Sequence, residues 1–213
     1  MNVLKGYFKR VGARRLLVMT AGNIFLGMGI SIFKLAGMGT DPFSGMVMAL
    51  AECVGIAYAH FAVLFNLVLF GAELAFGRRL IGAGTVVNAC FLGYIVTFFH
   101  NIWMALWGAP ELLWQRVVIV CVGVIVTSFG ISMYQTPDVG VAPWDSISLI
   151  MAARWPRIPY FWCRISNDAA ASLVCWLAGG VVGLGTLVCA LGFGPFIAFF
   201  TRHVSRRLAG MDS

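Results

Sequence analysis

The sequence predicts an all-α polytopic membrane protein with an internal duplication. The chain is 61% hydrophobic and 11% charged, with a mean hydropathy of +0.91, whereas soluble domains carry roughly 25% charged residues. Apolar stretches of about 20 residues, each long enough to cross a hydrocarbon core of ~30 Å, recur along the chain. The alternating segments of roughly ten residues that mark a membrane β-barrel are absent from the sequence. In addition, the loop at residues 37–44 returns at residues 138–145, an offset of 101.

The duplication runs through most of the chain at that offset without a gap. Gly39 and Pro42 of the first loop match Gly140 and Pro143 of the second. The other matches are Gly22 with Gly123, residues 29–31 with 130–132, Asn66 with Asn167, residues 84–85 with 185–186, Gly93 with Gly194 and residues 98–99 with 199–200. We therefore predict a single membrane domain over residues 1–213, with repeat one at about 15–101, a connector at 102–114, repeat two at about 116–202 and a basic cytoplasmic tail at 203–213.

Each repeat is predicted to hold three full spans and one short helix. In repeat one the full spans are about 15–34, 58–76 and 82–100. The first is a retained span, because its apolar run exceeds the roughly 7–15 residues of a signal-peptide core. The short segments, Pro42–Val54 and 143–153, cover about half of the membrane at ~1.5 Å per residue, which predicts re-entrant half-helices. Four full spans per repeat are the alternative.

The basic residues favour an inverted arrangement of the two repeats, since Lys and Arg accumulate in cytoplasmic loops. An odd number of spans per repeat puts matched loops on opposite faces, so only one loop of each matched pair should be basic. Three matched loops follow this rule, and Arg15 with Arg116 does not. The basic members without a basic match are Arg78, Arg79, Arg154, Arg157, Arg202, Arg206 and Arg207. The predicted topology is 3+3 and inverted, with both termini cytoplasmic.

Composition and motifs exclude several other classes of protein. The net charge of +7 does not predict nucleic-acid binding, because the basic residues cluster beside apolar spans. The six cysteines form no C-x-x-C pair and the three histidines are scattered, so we expect no metal site. P-loop, H-E-x-x-H and G-x-S-x-G motifs are absent, so we expect no enzyme activity and no cofactor. The expected partners are the lipid bilayer, a small-molecule or ion substrate and, as an option, a second copy of the chain.

The two repeated loops and the helices that follow them form the predicted substrate site. Pro42 and Pro143 suit the first position of a helix, where no N–H donor is needed. Asp41 is the predicted N-cap of the first short helix. Its match, Ala142, cannot cap, but Asp145 lies three positions on, where a carboxylate can reach back. The carboxylates either satisfy helix amides alone or also line a central cavity for a cation, a proton or a zwitterion, together with Thr40, Ser44 and Trp144.

Polar residues inside the long spans complete the candidate site. Asn66, Asn167 and Asp168 are costly groups within a membrane, and such groups usually face the protein interior. The asparagine pair serves either helix–helix contact or ligand binding. Asp168 follows Arg164 by four residues, which predicts an ion pair on one helical face. Glu73 lies near a pair of arginines and is predicted to be interfacial.

A small set of motifs carries a family resemblance. They are Gly39-x-x-Pro42 with a following aromatic residue, its copy Gly140-x-x-Pro143-Trp144-Asp145, and the Gly-Thr pairs at residues 84–85 and 185–186. Together they resemble the YczE/YyaS/YitT group of bacterial integral membrane proteins over about residues 16–202. The resemblance implies a location in the bacterial inner membrane and brings no settled substrate. The two acidic residues depart from the usual motif, because they occupy unequal positions of the repeat.

We predict a secondary transporter or facilitator that moves a small solute by alternating access around the two half-helix N-termini. Inverted repeats with interrupted helices recur in transporters, whose sites lie near the membrane midplane. The sequence shows no nucleotide-binding motif, so the driving force would come from an ion or substrate gradient. The alternative is a non-transporting regulatory or scaffold protein of the membrane, in which Phe43, Trp144 and methionines fill the space between Pro42 and Pro143.

Overall fold

The computed structural model describes residues 11–211, except for the side chains of residues 161 and 191. Every regular element in this range is helical, which confirms the all-α prediction. The helices are α1 (Ala13–Ala36), α2 (Pro42–Val54), α3 (Tyr58–Phe76), α4 (Ala83–Trp107), α5 (Leu113–Gln135), α6 (Pro143–Arg154), α7 (Tyr160–Leu177), α8 (Leu184–Phe200) and α9 (Arg206–Ala209), with a 3₁₀ turn at Arg78–Leu80 and a π-helical turn at Thr201–Ser205. The N-terminal basic residues Lys5, Lys9 and Arg10 lie outside the described range.

Four of these helices, α1, α3, α4 and α5, are long and apolar enough to cross a membrane. A fifth span results if Leu184–Ala190 and Gly192–Ala209, which meet at 51°, count as one bent helix. Pro195 lies inside this region and removes a backbone donor from it. α7 has 18 residues, but Arg164 and Asp168 interrupt its apolar character. The chain is therefore a multi-pass membrane protein with at least four candidate spans in the described range.

The core is organised around α1 and α5, which occupy matched positions in the two repeats. A Cβ atom at Gly22 would lie 2.8 Å from the carbonyl carbon of Met133, and one at Gly29 would lie 2.7 Å from the backbone nitrogen of Thr127. Later residues of α1 thus lie against earlier residues of α5, so the two helices are antiparallel. Their glycines allow the backbones to approach this closely.

A small-residue face of α1, formed by Gly27 and Ser31, packs against α4. A Cβ atom at Gly27 would lie 2.6 Å from Ile95 Cγ2. Near the end of the same helix, Trp103 Nε1 donates a hydrogen bond to Ser31 Oγ at 2.9 Å. The face therefore serves helix contact, as small residues do in membrane bundles.

The two short segments form helices with the predicted bounds, α6 being one residue longer than expected. α2 has 13 residues and α6 has 12, which corresponds to lengths of about 20 Å and about 18 Å. Both are well short of a hydrocarbon core of ~30 Å. α2 ends at Gly55 in the left-handed conformation, with φ 74°, and α6 ends at Trp155, directly before a proline.

The loops that precede α2 and α6 each form a backbone hydrogen bond with the other repeat. The Gly84 N–H donates to the Val139 carbonyl at 2.9 Å, and the Gly185 N–H donates to the Met38 carbonyl at 2.9 Å. The two donors are 101 residues apart, and so are the two acceptors, so each bond joins the matched residues of the other bond with the repeats exchanged. Each loop is thereby fixed to the start of a long helix, α4 in one case and α8 in the other.

The connector between the repeats is shorter than the predicted 102–114, because α4 continues to Trp107. Stacking of Trp103 on Trp107, with ring centroids 5.1 Å apart, accompanies these additional turns. The non-helical connector is reduced to residues 108–112. Aromatic side chains favour the membrane interface, so the polar-and-aromatic composition of this stretch is compatible with a helix end.

The predicted basic tail is helical over most of its described length and packs on the start of α1. Arg14 Nε donates a hydrogen bond to the Leu208 carbonyl at 2.7 Å, and Arg14 Nη2 donates to the Arg207 carbonyl at 2.6 Å. Cations are favourable near helix C-termini, where carbonyl groups lack partners. The tail is described only as far as residue 211.

Candidate functional site

The N-termini of α2 and α6 lie against each other, and the aromatic residues of their first turns stack. Phe43 and Trp144, which the offset of 101 pairs, have ring centroids 4.9 Å apart and an interplanar angle of 23°. Phe43 also packs on Phe65 at 6.1 Å. Met46 and Trp144 belong to the same buried apolar cluster. The structure thus brings the two predicted loops together and fills the contact between them with aromatic rings.

Asp41 caps α2, as predicted. Its Oδ2 accepts a hydrogen bond from the Ser44 N–H at 3.0 Å, and Pro42 occupies the first turn. Thr40 is buried next to it and donates from Oγ1 to the Asp41 carbonyl at 3.3 Å. Asp41 Oδ1 is buried and has no hydrogen-bond partner among the described residues. One carboxylate oxygen therefore stabilises the helix while the other remains unpaired.

Asp145 does not cap α6, so that prediction is wrong. The first turn of α6 has no side-chain cap at Ala142 or elsewhere. Asp145 Oδ2 instead accepts hydrogen bonds from the Tyr134 hydroxyl and, at 3.1 Å, from Gln135 Nε2. Its Oδ1 is ion-paired with Arg164. Both carboxylate oxygens of Asp145 are thus engaged by side chains of α5 and α7, and neither bonds an amide of α6.

Arg164 lies between two carboxylates, and we call Asp145, Arg164 and Asp168 the Arg164 cluster. Arg164 Nε donates to Asp168 Oδ2 at 2.9 Å, which confirms the predicted i,i+4 pair. Asp168 Oδ1 also accepts a hydrogen bond from Trp144 Nε1 at 3.4 Å. The side chains of Asp145 and Asp168 are 13% and 10% exposed, and that of Arg164 is 30% exposed. The cluster joins the first turn of α6 to α7.

The charges at this site do not balance. The stack of Phe43 on Trp144 sets the start of α2, which holds Asp41, against the first turn of α6, which holds Asp145. Arg164 is ion-paired with Asp145 and Asp168 but not with Asp41, so among the described residues these three carboxyl groups have one cationic partner. A site with excess negative charge attracts cations or retains protons, and the unpaired oxygen of Asp41 is the group best placed to accept either.

The matched asparagines have unequal surroundings. Asn167 Nδ2 donates a hydrogen bond to Ser148 Oγ at 3.3 Å and so links α7 to α6. Asn66 is 4% exposed, and its Oδ1 has no partner among the described residues. Neither asparagine is hydrogen-bonded to the Arg164 cluster within the described part of the chain. Asn167 thus serves helix contact, one of the two roles that the sequence allows.

Sequence reasoning does not identify Tyr134 and Gln135, which hold Asp145. Both lie at the end of α5, just before the loop. The residues that match them in repeat one are Phe33 and Lys34. The offset of 101 therefore does not pair Tyr134 and Gln135 with residues of the same type. The available signal is their position ten and eleven residues before Asp145, across the turn that leads into α6.

Glu73 is a further ionisable residue on α3. Its side chain is fully buried within the protein, with 0% exposure, and its interfacial depth in the membrane stays a prediction. Arg78, expected nearby, turns back and donates to the Leu74 carbonyl at 2.9 Å. Glu73 follows Asn66 by seven residues, or two helical turns, so both lie on one face of α3. That spacing is the sequence signal for its burial.

The described cavities lie away from the contact between α2 and α6. The larger, about 810 Å³, is an apolar space between α1, α4 and α5 that Trp103 and Trp107 help to line. The smaller, about 340 Å³, lies between α5 and α8 beside Met38. None of the predicted site residues lines either cavity. Within residues 11–211, no group of three or more His, Cys, Asp and Glu side chains is arranged to hold a metal ion.

Comparison with known proteins identifies the family of this chain. The model of a family of unknown function, DUF6198, matches residues 13–202. The chain belongs to this family. It is similar to an uncharacterised protein of Haemophilus influenzae, with 26% identity over 183 residues that cover 85% of this chain and 80% of the relative.

Two proteins of Bacillus subtilis are also similar. The uncharacterised membrane protein YczE is 22% identical over 182 residues, covering 84% of this chain and 81% of the relative. The uncharacterised protein YyaS is 23% identical over 192 residues, covering 87% of this chain and 91% of the relative. These matches confirm the resemblance to the YczE/YyaS/YitT group. No solved structure matches the chain.

Proposed function

We propose that this family member is a secondary transporter or facilitator for a small solute that carries a positive charge. The proposal depends on one observation. The N-termini of two short helices lie against each other, with Asp41 at the start of α2 and Asp145, a member of the Arg164 cluster, in the first turn of α6. Buried ionisable groups within a membrane mark substrate and ion pathways. The excess of carboxylates at this site favours a cationic or zwitterionic solute. The proposed role includes no enzymatic step and no cofactor.

The proposed topology is 3+3 and inverted, with α2 and α6 as re-entrant half-helices. Two features support it, the antiparallel packing of the matched helices α1 and α5 and the exchanged hydrogen bonds of the two loops. Six crossings require α7 and α8 to span as well. α7 is short of apolar residues because Arg164 and Asp168 face the site. In transporters of this design the substrate binds between the repeats, near the midplane.

The stack of Phe43 on Trp144 is the proposed barrier of a closed conformation. The rings lie between the two half-helix starts, where a solute would pass. Alternating access would part them, so that the site opens to one face of the membrane and then to the other. Packed aromatic pairs stabilise such a closed state, because an offset stack contributes about 0.5–1.5 kcal/mol beyond its burial.

Cysteine accessibility tests alternating access without knowledge of the substrate. Ser44→Cys, in a background without the six native cysteines, places one thiol at the start of α2, where Ser44 is 1% exposed. We expect a membrane-impermeant maleimide to label this thiol from either face of the membrane in separate preparations. The control is Met19→Cys on α1, which is 1% exposed and lies outside the buried apolar clusters that include residues of the loops and should remain unlabelled. A Ser44→Cys thiol that is inert from both faces would count against transport.

Uptake into proteoliposomes tests the charged residues. A thermal-shift screen of small cationic and zwitterionic solutes first identifies a ligand, since binding to the native state raises apparent stability. We expect Asp41→Asn and Asp145→Asn, tested separately, to reduce uptake of that solute at least about tenfold, a loss of ~1.4 kcal/mol in apparent binding. Glu52→Gln, at an exposed carboxylate on α2, is the control. Unchanged uptake in both aspartate variants would remove these residues from the site.

The inverted topology has its own matched test. Ile56 and Arg157 are paired by the offset of 101, and both are exposed. Single cysteines at these two positions should be labelled by an impermeant reagent from opposite faces of the membrane. With both termini in the cytoplasm of the bacterial inner membrane, Arg157→Cys is the one that requires permeabilised cells. Labelling of both positions from the same face contradicts inversion.

A non-transporting regulatory or scaffold role is the second candidate. It is favoured by the aromatic and methionine side chains that fill the contact between α2 and α6. In that case the Arg164 cluster would be a structural ion pair, and the protein would act through a partner or through a second copy of the chain. An inert Ser44→Cys thiol together with a clear loss of stability in Asp145→Asn would support this role.

A further inference from the structure

Glu73 on α3 is an ionisable group that the proposed solute site does not use. Its side chain is 0% exposed, and both carboxyl oxygens lack a hydrogen-bond partner among the described residues. An ionised carboxylate within a protein interior costs several kcal/mol unless a cation or hydrogen-bond donors compensate it. In residues 11–211 neither form of compensation reaches Glu73. The unpaired carboxyl therefore requires a chemical explanation.

The adjacent hydroxyl of Ser146 supplies one. Ser146 lies in the first turns of α6, next to the Glu73 carboxyl, and is itself fully buried. Its hydroxyl hydrogen is already donated to the Pro143 carbonyl at 2.8 Å. Ser146 Oγ can therefore only accept a hydrogen bond from Glu73. A carboxylate cannot donate one, whereas a carboxylic acid can, so this arrangement fits the acid form.

No neighbouring charge offers another partner. Arg78 is exposed, and its guanidinium is directed to the Leu74 carbonyl. Asp145 on α6 is already paired within the Arg164 cluster. The titratable or charged groups on the elements packed against α3 are Glu52 and Cys53 on α2, Cys90, Tyr94 and His100 on α4, Asp145 and Arg154 on α6, and Arg78 and Arg79 in the 3₁₀ turn. In the described residues none of them is hydrogen-bonded or ion-paired to Glu73.

The carboxyl also lies at a contact that must move if the solute site opens. α3 and α6 run parallel here, because Glu73 lies beside Ser146 and Gly77 lies beside Ile150. A Cβ atom at Gly77 would be only 2.8 Å from Ile150 Cδ1. Ser146 directly follows Asp145, the α6 member of the Arg164 cluster. Any displacement of α6 that rearranges the cluster therefore also alters the surroundings of Glu73.

We propose that Glu73 is a proton-binding site that couples proton movement to the motion of α6. This inference rests on the proposed transport function and names its coupling ion. In the closed conformation Glu73 is a neutral carboxylic acid buried between α3 and α6, beside Ser146. When α6 moves and water reaches the group, the O–H bond breaks, the proton passes to water and the electron pair stays on the carboxylate. Reclosure requires a proton from water, because the charged form cannot be buried there.

The pairing of a buried glutamate with a serine hydroxyl occurs in one repeat only. The offset pairs Glu73 with Val174 and Ser146 with Gly45, and neither match can titrate or accept a side-chain hydrogen bond. The proposal therefore implies one coupling proton per transport cycle.

Infrared spectroscopy of the reconstituted protein tests the protonation directly. The measurement starts from Asp41→Asn, which removes the other carboxyl group with a buried unpaired oxygen. In this variant at neutral pH we expect the carbonyl-stretch band of a protonated carboxylic acid, and we expect the addition of Glu73→Gln to remove it. Gln preserves the size of the side chain and can donate to Ser146 Oγ. The control, Glu52→Gln, changes an exposed glutamate and should leave the band intact. Absence of the band in Asp41→Asn, or its persistence when Glu73→Gln is added, overturns the proposal.

Uptake under an imposed pH gradient tests the coupling, with the solute found by the thermal-shift screen as the probe. We expect a pH gradient to drive accumulation by the unmodified protein. In Glu73→Gln the accumulation ratio should fall to unity while exchange of labelled for unlabelled solute continues. Accumulation by Glu73→Gln that still responds to the gradient overturns the coupling. A wild-type protein that moves no solute refutes transport and coupling together, while the infrared band still decides whether Glu73 holds a proton.

Discussion

The two short helices begin with the same backbone arrangement, but the carboxylates at their starts have different partners. α2 and α6 each begin with a proline in the first turn, at positions separated by the offset of 101. Asp41 caps α2, whereas Asp145 leaves the amides of α6 without a side-chain cap and binds Arg164. The start of a helix thus recurs at the offset of 101, while the ion pair occurs at one of the two positions only.

The loops before these helices provide the opposite case, in which the repeats remain equal. Gly39 has φ 93° and Gly140 has φ 117°, both in the left-handed region that favours glycine. Each lies against the opposite repeat, and a Cβ atom would be 2.9 Å from Gly183 N at the first position and 2.7 Å from Gly82 N at the second. Backbone requirements thus persist in both copies where side-chain chemistry does not.

The largest expected effect concerns the charge found only in repeat two. Arg164→Ala leaves Asp145 and Asp168 without their positive partner, and removing one member of a buried ion pair costs about 3–5 kcal/mol. The free energy of unfolding in detergent micelles measures this loss. Arg157→Ala, at an exposed arginine of the preceding loop, should change it by no more than ~0.5 kcal/mol. Equal stability of the two variants would show that the cluster is not a stabilising element.

The next prediction tests the equality of the loops. Gly39→Ala and Gly140→Ala should each destabilise by about 2–4 kcal/mol, because a left-handed alanine costs ~1–2 kcal/mol and the crowded Cβ adds a similar amount. Thermal or chemical unfolding of both variants in the same detergent measures the losses. Gly71→Ala on α3, where a Cβ meets nothing within 4 Å, is the control and should be neutral or slightly stabilising. A large loss at one loop only would break the symmetry between them.

A smaller effect separates the two carboxylates. Asp41→Ala removes an N-cap and should cost about 1 kcal/mol, whereas Asp41→Asn preserves capping and should cost only a few tenths. Unfolding measurements on the two variants determine the difference. If Asn is as harmful as Ala, Asp41 acts mainly through its charge and resembles Asp145 more closely than the structure indicates.

The smallest effect concerns the indole N–H of Trp144, the residue that stacks on Phe43. Trp144→Phe keeps a ring opposite Phe43 and removes the indole N–H that donates to Asp168 at 3.4 Å. A hydrogen bond of this length contributes little, so we expect a loss below about 1 kcal/mol. Trp144→Ala, which also removes the ring, should cost about 3–5 kcal/mol. A similar loss for both variants would mean that the N–H, rather than the stack, carries the contribution of this residue.

Local patterns in the sequence are sufficient for part of this structure. The bounds of α2 and α3, the proline in each first turn and the cap formed by Asp41 depend on neighbouring residues and on the length of apolar runs. The Arg164–Asp168 pair follows from helical spacing alone. The predicted cap by Asp145 is wrong because local spacing cannot account for a partner that tertiary packing brings from α7.

What the sequence determines by itself is therefore the all-α membrane class, the repeat of 101 residues and the two short helices, since each depends on composition or on local spacing. The tertiary structure alone decided which groups meet. It placed Tyr134 and Arg164 on Asp145, stacked Phe43 on Trp144 and buried Glu73 beside Ser146. These contacts join residues on different helices, whose mutual rotation is set by packing around the glycines of α1 and α5 rather than by any local pattern.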